Sequence, residues 1–511
     1  MALKKSTYTS RAVAGSITSV LQYVFVILLQ IILAPVVLRL AGKEIFGAYS
    51  VLIQIISWAA LTDLGFGVAL GRNLSQAHGT DDQHHHFKNI FTTGRTFYIA
   101  SNLAFAGLIL IMSWKLNSFM PMTDRVGYEA RIALVLLAIW VVIRTPLALY
   151  NDALIATQNL APVNIIMALG VAVRLILSIG FVISGASLIG LMFANIIGEA
   201  VQYLLGFIWY HKLYPHDKFG WGIPDRRLFR EMLKFGLTYM VVIVAGRLSA
   251  NTDSIIVGYL YGASAVSIYY ISQVPGTMLY HLIWKLTDNS APALNELYSK
   301  NAVDQLTNAY LRLFRYSLLL VIPLAIGLIG FSRSAITLWV GEAQYAGDIF
   351  TGALALFAIT QVLIHLNCIV MVAYGDIRVM SIFFLFSGIM KLILAFWLGH
   401  LIGLKGVMIA NTIVDIFGFV YFNFRVWRIL SLTIYEVGRN AVLPALKSSI
   451  LLLFMLMLML LKPPSATWLL FLIWVSVFAI VWVLGTAIVG LTAAERDQFK
   501  YFIRRKLNLN L

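Results

Sequence analysis

Arg174-Leu175-Ile176-Leu177 and Gly190-Leu191-Met192-Phe193-Ala194-Asn195, followed by Glu199, return later as Lys391-Leu392-Ile393-Leu394 and Gly406-Val407-Met408-Ile409-Ala410-Asn411, followed by Asp415. The blocks span residues 174–199 and 391–415, with a slip of one position between them. An earlier pair fits the same scheme: Gly42 and Tyr49 answer to Gly262 and Tyr269. One half of the chain therefore reads as a copy of the other. Two similar halves, each mostly apolar yet each keeping a cation and an acid inside its apolar part, have the layout of a two-lobed membrane transporter.

Composition agrees. Of 511 residues, 60% are hydrophobic and 12% charged, and mean hydropathy is +0.86, whereas about a quarter of a soluble domain is charged. One cysteine, Cys368, excludes an internal disulfide framework and reads as a packing residue. The net charge of +16 does not point to nucleic acid, because the basic residues are not gathered into a patch with interleaved aromatics. They are sorted by loop.

Fourteen apolar segments have the length of about 20 residues that crosses the hydrocarbon core as a helix. They lie near 13–38, 46–70, 94–114, 132–154, 161–184, 187–210, 235–259, 265–285, 313–333, 347–374, 379–403, 404–424, 441–461 and 467–490. With the N-terminus inside, most of the 38 lysines and arginines fall on the cytoplasmic side: Lys4, Lys5, Arg11, the 212–234, 285–315 and 425–447 loops, and the tail around Arg504-Arg505-Lys506. This bias predicts both termini in the cytoplasm. Leu21 to Val37 is too long, and lacks the small-residue cleavage pattern, for a removable signal peptide.

The expected fold is an all-α polytopic membrane protein of fourteen transmembrane helices. Each repeat holds an even number of crossings, so the six-helix lobes are predicted to be parallel, related by a pseudo-twofold axis along the membrane normal. The predicted parts are an N-lobe at 1–211, a cytoplasmic inter-lobe linker at 212–234, a C-lobe at 235–428, and at 429–511 an appended helical hairpin with a basic tail. The charged linker, with Gly220, Gly222 and Pro224, is expected to lie against anionic lipid headgroups. Residues 293–311 mix Leu294, Leu297, Leu306 and Tyr310 with Glu296, Lys300 and Asp304 and are predicted to form a surface amphipathic helix. Pro35, Pro146, Pro275 and Pro323 interrupt spans, as bending points or static kinks.

Four cations fall near mid-span: Arg144, Arg174, Arg247 and Lys391. Each costs about 2.5–3.5 kcal/mol at a helix centre, so all four are expected to face an interior cavity. One reading cancels them against buried acids, Glu199 with Arg174 and Asp415 with Lys391. The other leaves surplus positive charge for an anionic substrate, phosphate being well matched to a guanidinium fork. Asn151, Asp152 and Asn251 share helix faces with Arg144 and Arg247 and are candidate cavity lining. Asp253 either pairs with a cation or titrates during transport. Asp63-Leu64-Gly65-Phe66-Gly67, followed by Arg72, is a second polar cluster, a close-packing turn or a substrate contact. His84-His85-His86 with His78, Asp81 and Asp82 lacks the ligand spacing of a metal site and reads as a solvated loop. No phosphate-binding lysine loop or hydrolase motif occurs, so no catalytic residue, metal or organic cofactor is assigned.

Gly47-x-Tyr49 opening the second span, Asp63-Leu64-Gly65 closing it, Asp253 in the seventh, Gly262 with Tyr269 entering the eighth and Pro292 ending it resemble the Wzx-type polysaccharide flippases of the multidrug/oligosaccharidyl-lipid/polysaccharide exporter superfamily. The resemblance spans the chain, including the twelve-plus-two span count. It implies a bacterial cytoplasmic-membrane flippase, not an enzyme, that carries a polyprenyl-diphosphate-linked oligosaccharide to the outer leaflet by alternating access, for cell-surface polysaccharide such as O-antigen. By depth and span number it implies that Arg144, Arg174, Arg247 and Lys391 hold the diphosphate or acidic sugars. Glu199, Asp253, Asp415 and Asp63 would then be counter-ions or groups coupling to a proton or sodium ion, and a polysaccharide polymerase a partner. Two other readings stand beside it. A drug or metabolite antiporter of the same superfamily centres on acids, whereas this midplane is more basic. A membrane polymerase or lipid-dependent glycosyltransferase needs a large outer loop, whereas the longest outer connections, 115–131 and 333–348, are short.

Overall fold

A chain that crosses hydrocarbon must satisfy its own backbone hydrogen bonds, so long apolar runs are driven to helix. The computed structural model describes residues 2–62, 69–71, 73–74, 83–157, 159–215, 223–234, 236, 240, 244, 252–461, 467–491 and 495. The helices over them are α1 (Ala2–Leu40), α2 (Lys43–Thr62), α3 (Gln83–Phe119), α4 (Asp124–Ala156), α5 (Leu160–Ile183), α6 (Leu188–Leu213), α7 (Asp253–Tyr261) and α8 (Ala263–Asp288). They continue as α9 (Ala291–Ser299), α10 (Val303–Val340), α11 (Asp348–Ala373), α12 (Ile377–Ile402), α13 (Leu404–Ile429), α14 (Ile434–Val437), α15 (Leu443–Leu461) and α16 (Trp468–Gly485).

Among the described residues, 11 helices are long and apolar enough to cross a membrane. Their outward faces are greasy: Leu21, Ile176, Phe417 and Leu469 are each more than 60% exposed. So much exposed apolar side chain needs lipid around it, and the protein is a multi-pass membrane protein. The other three expected segments differ for separate reasons. The 46–70 and 235–259 segments lie partly outside the described residues. The 265–285 segment is the 26-residue α8, long enough to span but diluted by serines, tyrosines, Gln273 and His281.

The helices fall into two compact units, Met1–Tyr270 with Phe384–Leu392, and Ile271–Phe383 with Ile393–Leu511. In the first, α5 packs against α6 and α1, and α4 against α3 and α6. An aromatic cluster of Phe87, Phe91, Tyr150 and Tyr210 fills its core, with Phe91 and Tyr150 rings 5.3 Å apart. In the second, α11 packs against α13 and α10, and α10 against α15 and α16, around Phe331, Leu452, Met459 and Phe478.

The repeat is visible helix by helix. Arg174 and Lys391 are each the fifteenth residue of their helices, α5 and α12. Gly190 and Gly406, Asn195 and Asn411, and Glu199 and Asp415 are each the third, eighth and twelfth of α6 and α13. Gly42 and Gly262 both take positive φ, 91° and 78°, where a side chain is strained, and each turns the chain into the helix that carries the buried Tyr49 or Tyr269.

One expectation changes. Residues 293–311 are not one surface helix: the chain breaks after α9 at Lys300-Asn301-Ala302, Asn301 taking φ 52°. Residues 303–311 instead begin the 38-residue α10, because Leu306 and Tyr310, like Leu294 on α9, are buried. Pro35, Pro146, Pro275 and Pro323 sit inside α1, α4, α8 and α10 without ending them.

Candidate functional site

In the first unit a polar chain runs through otherwise apolar helices. The Arg144 Nη1 of α4 meets Glu199 Oε2 of α6 at 3.0 Å, with side chains 17% and 22% exposed. One turn before Arg144, Trp140 donates its Nε1 to the same oxygen at 2.9 Å. One turn after Glu199, Tyr203 hydrogen-bonds Arg144. One turn before Glu199, Asn195 donates to Oε1 at 3.5 Å, and its own Oδ1 accepts from Arg174 Nη1 at 3.4 Å. Spacings of four residues stack these groups on facing stripes of α4 and α6.

Close packing aims Arg174. A Cβ at Gly198 of α6 would lie 2.7 Å from the Gly170 carbonyl and 2.8 Å from Arg174 Cβ of α5. The absent side chain lets α5 lay the arginine stem across α6 and send the guanidinium toward Asn195. Tyr49 and Tyr270 lie within electrostatic reach of it. Asp152, eight residues after Arg144 on α4, is within reach of Tyr203. Asn151 packs against α6, where a Cβ on Gly206 would fall 1.7 Å from its Oδ1, and that buried oxygen has no hydrogen-bond partner among the described residues.

The expected pairing of Glu199 with Arg174 is corrected: Glu199 pairs with Arg144. Trp140 and Tyr203 fix that arrangement, while Gly198 directs Arg174 one turn short of the acid. Among the described residues Arg174 makes one long hydrogen bond and no ion pair. Arg144 and Glu199 cancel, and Arg174 is left outside that pair.

Elsewhere, Asp253 begins α7, is buried, and accepts from Tyr269 Oη at 2.9 Å. Lys391 is 3% exposed. In the second unit, Asp415 accepts from Gln361 Nε2 at 2.6 Å, and Trp284 Nε1 donates to the Gln361 carbonyl at 3.2 Å. Asp63, Arg72, Arg247 and Asn251 lie outside the described residues, as do His78, Asp81 and Asp82; the side chains of His84, His85 and His86 are likewise not described. Trp140, Asn195 and Tyr203 were not among the expected site residues, although a four-residue spacing from Arg144 or Glu199 would have found all three. Gln361 carries no such signal.

Comparison with known proteins agrees with this architecture. The lipid II flippase MurJ, in an inward closed conformation, superposes with a TM-score of 0.72 at 15% identity, over 93% of this chain and 98% of that one. An inward-facing multidrug resistance MATE family transporter of the MOP superfamily matches with a TM-score of 0.66 at 16% identity, over 81% of this chain and 99% of that one. The teichuronic acid biosynthesis protein TuaB of Bacillus subtilis (strain 168) is 25% identical over 219 residues, 42% of this chain and 44% of that protein. The match thus spans under half of that relative's length. Residues 36–346, more than half of the chain, match the model of one family, and with a helical membrane fold shared with MATE and MurJ transporters, the chain belongs to the polysaccharide biosynthesis protein family.

Proposed function

We propose that this protein is a flippase that moves a polyprenyl-diphosphate-linked oligosaccharide from the cytoplasmic to the outer leaflet of the bacterial cytoplasmic membrane, by alternating access, with both termini inside. The observation that carries the reading is Arg174: a guanidinium in the apolar zone of a polysaccharide biosynthesis protein, whose nearest acid is already taken by Arg144. A half-buried cation in an apolar segment, with spare hydrogen-bond donors, is costly unless something anionic visits it. A diphosphate or an acidic sugar meets that need, with two donors in fork geometry. In this reading Lys391, at the equivalent helix position, and Arg247 supply the matching charge, Glu199 is the counter-ion that orients Arg144, and Asp253 and Asp415 order the polar path.

The test is Arg174→Ala in a strain lacking the native protein. The expected outcome is normal membrane insertion, accumulation of lipid-linked saccharide on the cytoplasmic face and at least a tenfold loss of surface polymer, with Arg174→Lys intermediate. Unchanged surface polymer in Arg174→Ala would remove this arginine, and the cationic-path reading with it.

A further inference from the structure

The second unit holds a cationic pocket and an apolar groove that the flippase reading does not use. The pocket, about 290 Å³, is lined by Asn308, Leu311, Arg312 and Arg315 of α10 and by Asn440. The first four lie at helical spacing on one stripe of α10. Asn440 is presented by the π-turn Gly438–Val442 that joins α14 to α15. The groove, about 940 Å³, is lined by apolar side chains such as Leu286, Leu313, Leu320, Trp482 and Val483, and also by Tyr316 and Glu495. The two adjoin across one buried cluster, because Arg315 Nη2 pairs with Glu495, which also accepts from Tyr316 Oη at 2.5 Å.

Depth identifies the level. Arg315 and Arg333 stand 18 positions apart on the unbroken α10, about 27 Å along the helix axis at 1.5 Å per residue. That matches the hydrocarbon thickness of about 30 Å, so the two arginines bracket the core, and Arg315 sits at headgroup level with the groove running toward the acyl chains. Charge identifies the ligand class. Arg315 is only 9% exposed in its side chain, and its Nε has no hydrogen-bond partner among the described residues. Arg312 beside it is exposed. Arg315 pairs with Glu495, Arg312 makes no ion pair among the described residues, and with two carboxamides these guanidinium groups form a set of donors suited to a phosphate.

We propose that the second unit carries a resident site for one anionic glycerophospholipid, its phosphate between Arg312, Arg315, Asn308 and Asn440 and its acyl chains in the groove beyond Tyr316. The site does not depend on the flippase reading, since it needs only membrane lipid. Glu495 holds Arg315 in place and competes with the phosphate.

The experiment is a titration of the purified full-length protein in phosphatidylcholine nanodiscs with phosphatidylglycerol, followed by thermal unfolding and by lipid retention in native mass spectrometry. One retained phosphatidylglycerol and a rise in Tm of several degrees are expected, with no effect from inorganic phosphate at millimolar concentration. Arg312→Gln, at an exposed position that threatens no fold, is expected to weaken the effect about fivefold, and Glu495→Gln to strengthen it. Arg227→Gln in the other unit, 88% exposed on the charged linker, is the control for diffuse headgroup contact and is expected to leave the single retained phosphatidylglycerol and the rise in Tm unchanged. Equal stabilisation by added phosphatidylcholine, full stabilisation by inorganic phosphate, displacement of phosphatidylglycerol by a polyprenyl diphosphate at equal concentration, or an Arg227→Gln loss as large as that of Arg312→Gln would each overturn the proposal.

Discussion

Glu199 has two arginines within a turn of it and serves one, and that choice decides which guanidinium stays outside the ion pair. With Trp140 and Tyr203 closing around the Arg144 pair, both ions lie less than a third exposed, so water screens them weakly and removing one partner leaves a stranded charge. Glu199→Gln is therefore expected to cost about 3 kcal/mol or more, read as a fall in Tm in detergent, because two guanidinium groups then face the same apolar surroundings. Arg144→Met combined with Glu199→Leu, which removes both charges at similar volume, is expected to recover most of that loss. Arg174→Ala is expected to do the opposite of Glu199→Gln. It shortens a side chain that makes only one long hydrogen bond, so Tm should move little while delivery of surface polymer fails. If Arg174→Ala unfolds the protein as strongly as Glu199→Gln does, the arginine is a strut and not a substrate contact.

Helix contacts depend on where side chains are missing. A Cβ at Gly47 of α2 would meet the Ala263 carbonyl oxygen at the start of α8 at 1.7 Å, and a backbone atom cannot rotate away. Gly47→Ala is expected to cost about 2 kcal/mol or more by overpacking, with lower expression and Tm. Gly352→Ala in α11, where nothing lies within 4 Å, is expected to be neutral or to gain up to about 1 kcal/mol of helix propensity, and the pair separates close packing from propensity. Much at this scale was legible beforehand. The repeated segments share helix type, turn position and register because Gly42, Gly190, Gly262 and Gly406 each occupy a place where a larger residue is excluded by φ or by a neighbour, and such places recur as identities in the chain. Partner choice was not legible. Arg144 and Arg174 are equivalent in composition and depth, and the packing at Gly198, together with Trp140 and Tyr203 around Arg144, decides which of them reaches the acid. Nor was the buried network in which Tyr310 donates to Asn367 at 2.7 Å, Asn367 to Asn423 at 3.0 Å and Trp427 to Tyr310 at 3.1 Å. Those residues come from α10, α11 and α13, and no local spacing links them.

Across the whole molecule, orientation is the property that ties charge to compartment. α10 runs 38 residues without a break, about 57 Å by helical rise, so it overshoots the hydrocarbon by more than 20 Å and must put its two flanks on opposite sides of the bilayer. The turn before it carries Lys300, 65% exposed, and the turn after it carries Glu342, 63% exposed. The positive-inside bias of the basic loops predicts that the first of these lies in the cytoplasm. In a Cys368→Ser background, an impermeant maleimide added to spheroplasts is therefore expected to label Glu342→Cys and to spare Lys300→Cys until the membrane is opened; Arg125→Cys, at the start of α4 and 74% exposed, should label like Glu342→Cys. Labelling of Lys300→Cys and Glu342→Cys from the same side would mean that α10 does not span. Labelling with the sides exchanged would turn the molecule over, moving the Arg312 and Arg315 pocket to the outer leaflet and setting most of the basic loops against the membrane potential, at about 2.3 kcal/mol per charge for each 100 mV.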